Sequence, residues 1–261
     1  MQKRIVTLLG AVLLVSLPVA AQTVDEIIAK NTEAQGGLAK MRAVQSIRMS
    51  GRMTVGPGME APIVIEVKRP NSVRMEFTFQ GMTGVQAFDG KTGWMVMPFT
   101  GKKDPEPMPA EQLKDFEDQG DLDGPLVDYQ AKGSKVEYLG KESVEGAECY
   151  KLKLTKKNGN VIHMFIDTDS NLPLKTTGKR MMRGTEVEGE ASLGDYKEVG
   201  GLLFAHVLES GIVGNPMRQK IVIEKIELNV ALDDARFKMP EVPKPPEAPK
   251  PPETPPKPPQ K

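Results

Sequence analysis

One cysteine, two histidines and few aromatic side chains limit the chemistry open to this sequence. The lone thiol, Cys149, can close no disulfide within the chain and can build no thiolate zinc site. Its setting, Glu148-Cys149-Tyr150-Lys151, reads as strand, so it is expected to be a small buried hydrophobe. His163 and His206 stand in no His-Glu-x-x-His spacing, and each is expected to be an ordinary strand residue. There is no Gly-x-Ser-x-Gly elbow, phosphate loop or dinucleotide fingerprint. The expectation is a protein that is not an enzyme and uses neither metal nor cofactor.

Net charge is lacking as well. The 35 basic and 35 acidic residues cancel, and without Lys3 and Arg4 the balance becomes −2. That is no footprint for nucleic acid or for an anionic membrane surface. No apolar run reaches the about 20 residues that span a bilayer. The longest, Ile5 to Leu17, follows Lys3-Arg4 and precedes Pro18 and Val19-Ala20-Ala21. A positive start, a short apolar stretch and small residues before Gln22 predict a signal peptide over 1–21, cleaved near Ala21. The mature chain is then exported, with no cysteine at the cleavage region to receive a lipid. Aromatics make up only 5% of the residues, which leaves 15 methionines and the aliphatics to fill the interior. Methionine deforms readily and suits surfaces that accept varied apolar partners.

What is present is a succession of strands. Between Gln45 and Phe99, Ile47, Met49, Met53 and Val55 alternate with polar or small residues. So do Ile63, Ile65 and Val67, then Val73, Met75, Phe77 and Phe79, and finally Met95 and Met97. A period of two sends all of these to one side of a sheet. Arg48, Arg52, Arg74, Glu76, Thr78 and Gln80 on the other side are expected in water. The candidate ligand-binding face is Met49, Met53, Met75, Phe77, Phe79, Met95 and Met97.

Before these strands, Val24 to about Arg42 has helical spacing, with Thr23 or Asp25 as cap and Gly36-Gly37 as an interruption. Pro70-Asn71 and Asp89-Gly90 mark turns. Gly101 to Gly124 breaks the strand pattern: Pro105, Pro107 and Pro109 predict a stiff loop, and Pro109 to Phe116 a short helix able to lie across the open face. Strands resume at Lys135, with Asn158-Gly159 as a hairpin turn, and continue to Leu228. No strand–helix–strand crossover repeats, so the class is α+β: a curved antiparallel sheet, mostly meander, approaching a barrel. From Pro240 half of the residues are proline, which predicts an extended polyproline II tail over 241–261 after a domain over 22–240.

The acids Asp115, Glu117, Asp118, Asp121, Asp123 and Asp128 are the remaining chemical candidate. Oxygen ligands of this kind hold calcium, but Asp118 to Gly124 departs from the EF-hand loop and lacks its terminal glutamate. A solvated loop is the expectation. A hydrolase would need these acids or the two histidines gathered in one cleft.

Four stretches together resemble the LolA/LolB-type family of outer-membrane lipoprotein carriers. They are Ala34-Gln35-Gly36-Gly37-Leu38-Ala39-Lys40-Met41 leading into Val44 to Gly51; Pro70 to Glu76 followed by Ala87-Phe88-Asp89-Gly90 and Gly93-Trp94; Val136 to Glu142 through Tyr150-Lys151-Leu152; and Asp195-Tyr196 with Gly200-Gly201-Leu202, closing on Asn229, Leu232-Asp233-Asp234 and Phe237-Lys238-Met239-Pro240. The resemblance implies an incomplete β-barrel with helices closing its open side over an apolar cavity. It also implies a monomeric periplasmic carrier of lipid or lipoprotein acyl chains, working between membrane-associated donor and acceptor proteins. The family's functional residues map onto no motif here. The proline tail supports an alternative, an envelope sensor or scaffold of the same fold that binds a protein partner through its tail.

Overall fold

Each run of alternating residues becomes a strand, and turn-forming glycines set their ends. The computed structural model describes residues 22–182 and 184–241, with the side chains of Asp115, Arg180 and Met182 excepted. The expected signal peptide and almost all of the proline-rich tail lie outside the described residues. The strands are β1 (Ser46–Gly56), β2 (Met59–Lys68), β3 (Ser72–Phe79), β4 (Met82–Phe88), β5 (Gly93–Met97), β6 (Lys102–Pro107), β7 (Lys135–Val144), β8 (Ala147–Thr155), β9 (Val161–Asp167), β10 (Pro173–Met182), β11 (Thr185–Val199), β12 (Leu202–Ile212) and β13 (Arg218–Leu228). They form one sheet in the order β6-β5-β4-β3-β2-β1-β13-β12-β11-β10-β9-β8-β7. Every pairing is antiparallel. The sheet does not close. Its two edges are β6 and β7, which are consecutive in the chain, so residues 108–134 bridge the opening.

Three helices cover the concave side. Helix α1 (Val24–Ala34) starts with a capping box: Glu26 N donates to Thr23 Oγ1 at 3.2 Å, and Thr23 N donates to Glu26 Oε2 at 2.9 Å. It buries Ile27 and Ile28 against Tyr150, Leu152, Met164 and Ile166 of β8 and β9. Gly36 and Gly37 then reverse the chain at φ of 113° and 91°. A Cβ on Gly36 would lie 2.2 Å from the Gly201 carbonyl oxygen, so the turn fits against β12 only without a side chain. Helix α2 (Leu38–Ala43) follows, and Met41 and Val44 pack with Ile47, Leu202, Ile223 and Ile226. Helix α3 (Ala110–Glu117) lies over β3, as its spacing predicts.

Two expectations are corrected. Gly101 to Gly124 was expected to contain no strand, yet Lys102–Pro107 pairs with β5 as β6. Proline donates no ladder hydrogen bond and is tolerated on an edge strand; β6 is such an edge. The polar side of β1 to β3 is not simply solvated. Glu66 there is 1% exposed and accepts from Arg48 Nε at 2.9 Å and from Arg236 Nε at 2.8 Å. Arg74 bonds Glu76 at 2.6 Å and lies over the Trp94 ring. The segment after β13 straps this convex face: the Phe237 carbonyl accepts from Trp94 Nε1 at 2.8 Å, and Phe237 is buried. Alternation predicts which side a residue faces, but not that chain 170 positions away returns to cover it.

Candidate functional site

Strand register gathers the seven candidate residues on the concave wall. Residues directly opposite across antiparallel strands share a face, so the pairings define rows. The first row, Ile47–Val67–Val73–Phe88–Gly93, lies at the end where helices cover the sheet. The second is Met49–Ile65–Met75–Gln86–Met95. The third is Gly51–Ile63–Phe77–Gly84. Met53–Ala61 and Phe79–Met82 complete the wall toward the opposite end. Gln86 is the single polar side chain of the second row.

The rows differ in what covers them. Val67, Val73 and Phe88 are buried against Met108 and Phe116, while Met49, Met75 and Met95 pack around the same cluster with Leu113 and Leu122. Helix α3 and the segments beside it therefore form a lid whose apolar face occupies the wall. Beyond the lid, Phe77 meets Phe99 with ring centroids 5.4 Å apart, and Phe79 meets Phe99 edge-on at 6.3 Å. Phe77, Phe79, Met97 and Phe99 are only half-buried. Gly84 makes room for them: a Cβ there would lie 2.9 Å from both Phe77 and Phe99 and 3.2 Å from the Met97 sulfur. Phe99, in the turn after β5, belongs to the wall but not to the expected set; its Met97-Pro98-Phe99 context carries no strand period.

Ion pairs tie the lid down on both flanks. Arg69 at the end of β2 grips Asp123 through two bonds, 2.7 Å and 2.5 Å, and also donates to the carbonyls of Val44 at 2.7 Å and Met41 at 3.1 Å. The guanidinium's hydrogen bonds hold the Asp123 carboxyl below the usual carboxylate range. Lys156, in the β8–β9 turn, pairs with Asp118, and Lys132 with Asp121 at 2.5 Å. Gly120 sits so close to Asn71 that a Cβ would approach its Oδ1 to 2.3 Å. Clefts of about 200 Å³ and about 260 Å³ lie along the seam, the first lined by Met41, Leu122, Leu202 and Phe204, the second by Lys114, Val161 and Met181.

The acids singled out for metal chemistry are engaged elsewhere. Asp118, Asp121, Asp123 and Asp128 pair with Lys156, Lys132, Arg69 and Arg42 respectively. Burial, reinforced by Asp118, raises Glu117 above the usual range. The side chain of Asp115 lies outside the described residues. Among the described residues, no group of three or more His, Cys, Asp or Glu side chains is placed to hold a metal ion. His163 lies opposite Lys153 and Thr177, and His206 is buried with Nδ1 2.8 Å from the Ile223 carbonyl. Cys149 is fully buried beside Val144 and Phe165, and burial raises its thiol pKa. The site offers an apolar wall under a helical cover held by ion pairs.

No protein-family model and no curated protein sequence matches this chain. Solved structures do. A DUF1329 family protein from Desulfovibrio piger superposes with a TM-score of 0.59 at 13% identity, covering 82% of this chain and 97% of that one. A LolA superfamily protein from Nitrosomonas europaea gives 0.56 at 13% identity, covering 84% and 98%. The fold is the LolA-type open barrel. A Vibrio parahaemolyticus domain described as outer membrane lipoprotein-sorting gives 0.55 at 12% identity, covering 81% and 94%. At such identities the LolA-type likeness is one of architecture alone: an open antiparallel sheet with covering helices.

Proposed function

We propose that this chain is a periplasmic carrier that takes lipid, or the acyl chains of lipoproteins, onto the wall of Met49, Met53, Met75, Phe77, Phe79, Met95 and Met97, for the sorting of outer-membrane lipoproteins. The carrying observation is a continuous apolar wall whose cover is a short helix pinned by ion pairs, with no catalytic constellation beside it among the described residues. No bond is made or broken. An acyl chain that displaces Leu113, Phe116 and Met108 from the wall replaces one set of apolar contacts with another. Each 100 Å² of apolar surface exchanged is worth about 2.5 kcal/mol on either side. Loading is therefore near balance, as a carrier that must also unload requires. The export signal expected over 1–21 supports the compartment, and among the described residues no helix is long and apolar enough to cross a membrane.

Two measurements on the purified mature protein test this. Mass spectrometry is expected to find co-purifying lipid, and a fluorescent fatty acid in solution is expected to bind with enhanced emission. Met75→Glu and Phe77→Glu each place a charge on the wall and should reduce that binding by at least tenfold, a carboxylate without a partner being costly to bury. A wild-type protein that carries no lipid and takes up no fatty acid sinks the proposal.

A further inference from the structure

The ladder between β12 and β13 stops short. Its last rung toward the helices is Val207–Val222, although β12 begins at Leu202 and β13 runs on to Leu228. On the other flank of β13, Gly51 faces Ile223 while Ser50 faces Lys225, so the strand bulges at Glu224. The imidazole of His206 stands where the two strands part, and its Nδ1 donates to the Ile223 carbonyl at 2.8 Å. His206 is 6% exposed, and its Nε2 is buried with no hydrogen-bond partner among the described residues. A carbonyl only accepts, so Nδ1 carries the hydrogen and the neutral ring presents a bare lone pair at Nε2.

That lone pair belongs to the wall. Phe204, His206 and Leu208 share one face of β12, and Phe204 and Leu208 pack with Ile223. Continuing the ladder by one step sets His206 opposite Ile223, at the end of the row Ile223–Gly51–Ile63–Phe77. Met49, Ile65 and Leu122 pack against this cluster and also against the lid cluster of Phe88, Met108 and Phe116. Apolar contact therefore runs unbroken from the lid to the strand that carries His206. The seam cleft of about 200 Å³ is lined by Phe204, the next residue on that face, and by Gln35 and Gly124. The register of β11 sets Asp195 opposite His206, but its carboxylate is taken by Lys197 at 2.6 Å.

We propose that His206 Nε2 accepts a hydrogen bond from the polar head of an acyl ligand, and so selects lipids whose head carries an N–H or O–H donor. The chain of such a ligand lies along the wall. An unpaired buried acceptor is costly, and a ligand donor removes that cost only when bound. A buried water would need two to four polar partners. The side chains of Phe204, Leu208, Ile221 and Ile223 offer none. An amide or hydroxyl head satisfies the lone pair, whereas an ester or ether head leaves it stranded. The inference rests on the carrier reading and names the class of lipid that it favours.

With only two histidines in the sequence, the ring is directly observable by NMR of the full mature chain made with histidine enriched in heavy nitrogen. His163→Gln assigns the signals. Dodecanamide and dodecanol are expected to bind about tenfold more tightly than methyl dodecanoate and to move the His206 Nε2 resonance upfield. Methyl dodecanoate, which has the same chain length and no donor, is expected to leave it in place. His206→Phe keeps a ring but no acceptor, and should bind all three within about twofold of one another. If that variant fails to fold because the Ile223 carbonyl is stranded, the wild-type affinities and resonance still decide. Equal affinities with an unmoved resonance overturn the proposal and leave the carrier reading standing. A resonance already upfield in lipid-free protein and indifferent to ligand also overturns it, since a trapped water then fills the site. If none of the three lipids binds, the carrier reading falls and this inference with it.

Discussion

Replacing Arg69 with methionine probes how the lid is held. The change removes both bonds to Asp123 and strips the donor from the Val44 and Met41 carbonyls, while keeping most of the side-chain volume. A buried pair broken by loss of one partner costs about 3–5 kcal/mol. Here the two side chains are 22% and 16% exposed, so water recovers part of the stranded carboxylate's solvation and about 2–3 kcal/mol is expected. The bonds join the segment after α3 to β2 and α2, so the cost should appear first as local opening of the lid. At 1.36 kcal/mol per tenfold, that opening speeds hydrogen exchange in Ala110–Glu117 by roughly 30- to 160-fold. Peptides from β8 and β9 serve as the internal control. The pH dependence follows from the same pair. Asp123 is held below its ordinary value in the folded state, so its contribution is fully present above the unfolded value of about 3.9 and is lost as pH falls through the folded value. Wild-type protection of α3 should fall in that acid range, and Arg69→Met should show no corresponding step. If α3 exchanges at the wild-type rate in Arg69→Met while the urea midpoint drops, the pair supports the sheet and not the lid, and the reasoning fails.

Other outcomes test the rest of the architecture. Glu66→Ala removes the buried acid that Arg48 and Arg236 share on the convex side; the stranded guanidiniums are 36% and 40% exposed, so about 2–3 kcal/mol should be lost in urea unfolding. Arg236→Ala, at a site 40% exposed, should cost clearly less, and equal losses would contradict the assignment of Glu66 as the buried centre. Gly51→Ala would put a Cβ 1.9 Å from the Val222 carbonyl oxygen, where the neighbouring backbone must move; a loss of about 3 kcal/mol is expected by thermal or urea unfolding. Cys149 should resist iodoacetamide in the native protein and react at the rate of global unfolding as denaturant rises, because its thiol is buried and its pKa raised; rapid native labelling would place it wrongly.

The period-two alternation made the meander and its facing legible, since it depends only on neighbours in the sequence. Met49, Met75 and Met95 fall in one row because the register of β1 to β5 sets them opposite one another through Ile65 and Gln86. The β6 edge strand was hidden by Pro105 and Pro107, which argue against a central strand but do not forbid an edge. Phe99 was hidden because it reaches the wall from a turn. The pairing of Asp118, Asp121, Asp123 and Asp128 with four bases depends on partners that the fold brings in from elsewhere. Local pattern therefore specified the wall, and long-range closure specified what lies on both sides of it.

The pairing of β1 with β13 has a consequence for how the protein is made. These strands stand side by side at Met49–Ile226 and Met53–Ile221, so one central seam joins the beginning of the sheet to its end. A chain emerging from its N-terminus can pair β1 with β2 early, but the other side of β1 stays unpaired until some 170 further residues have appeared. Contacts of such sequence separation slow folding, and an apolar strand left waiting with a free edge invites association with other chains. The methionine-rich face that suits a carrier is thus also the surface most exposed to misassembly during synthesis. Truncations that stop before Arg218 should aggregate rather than form a smaller barrel.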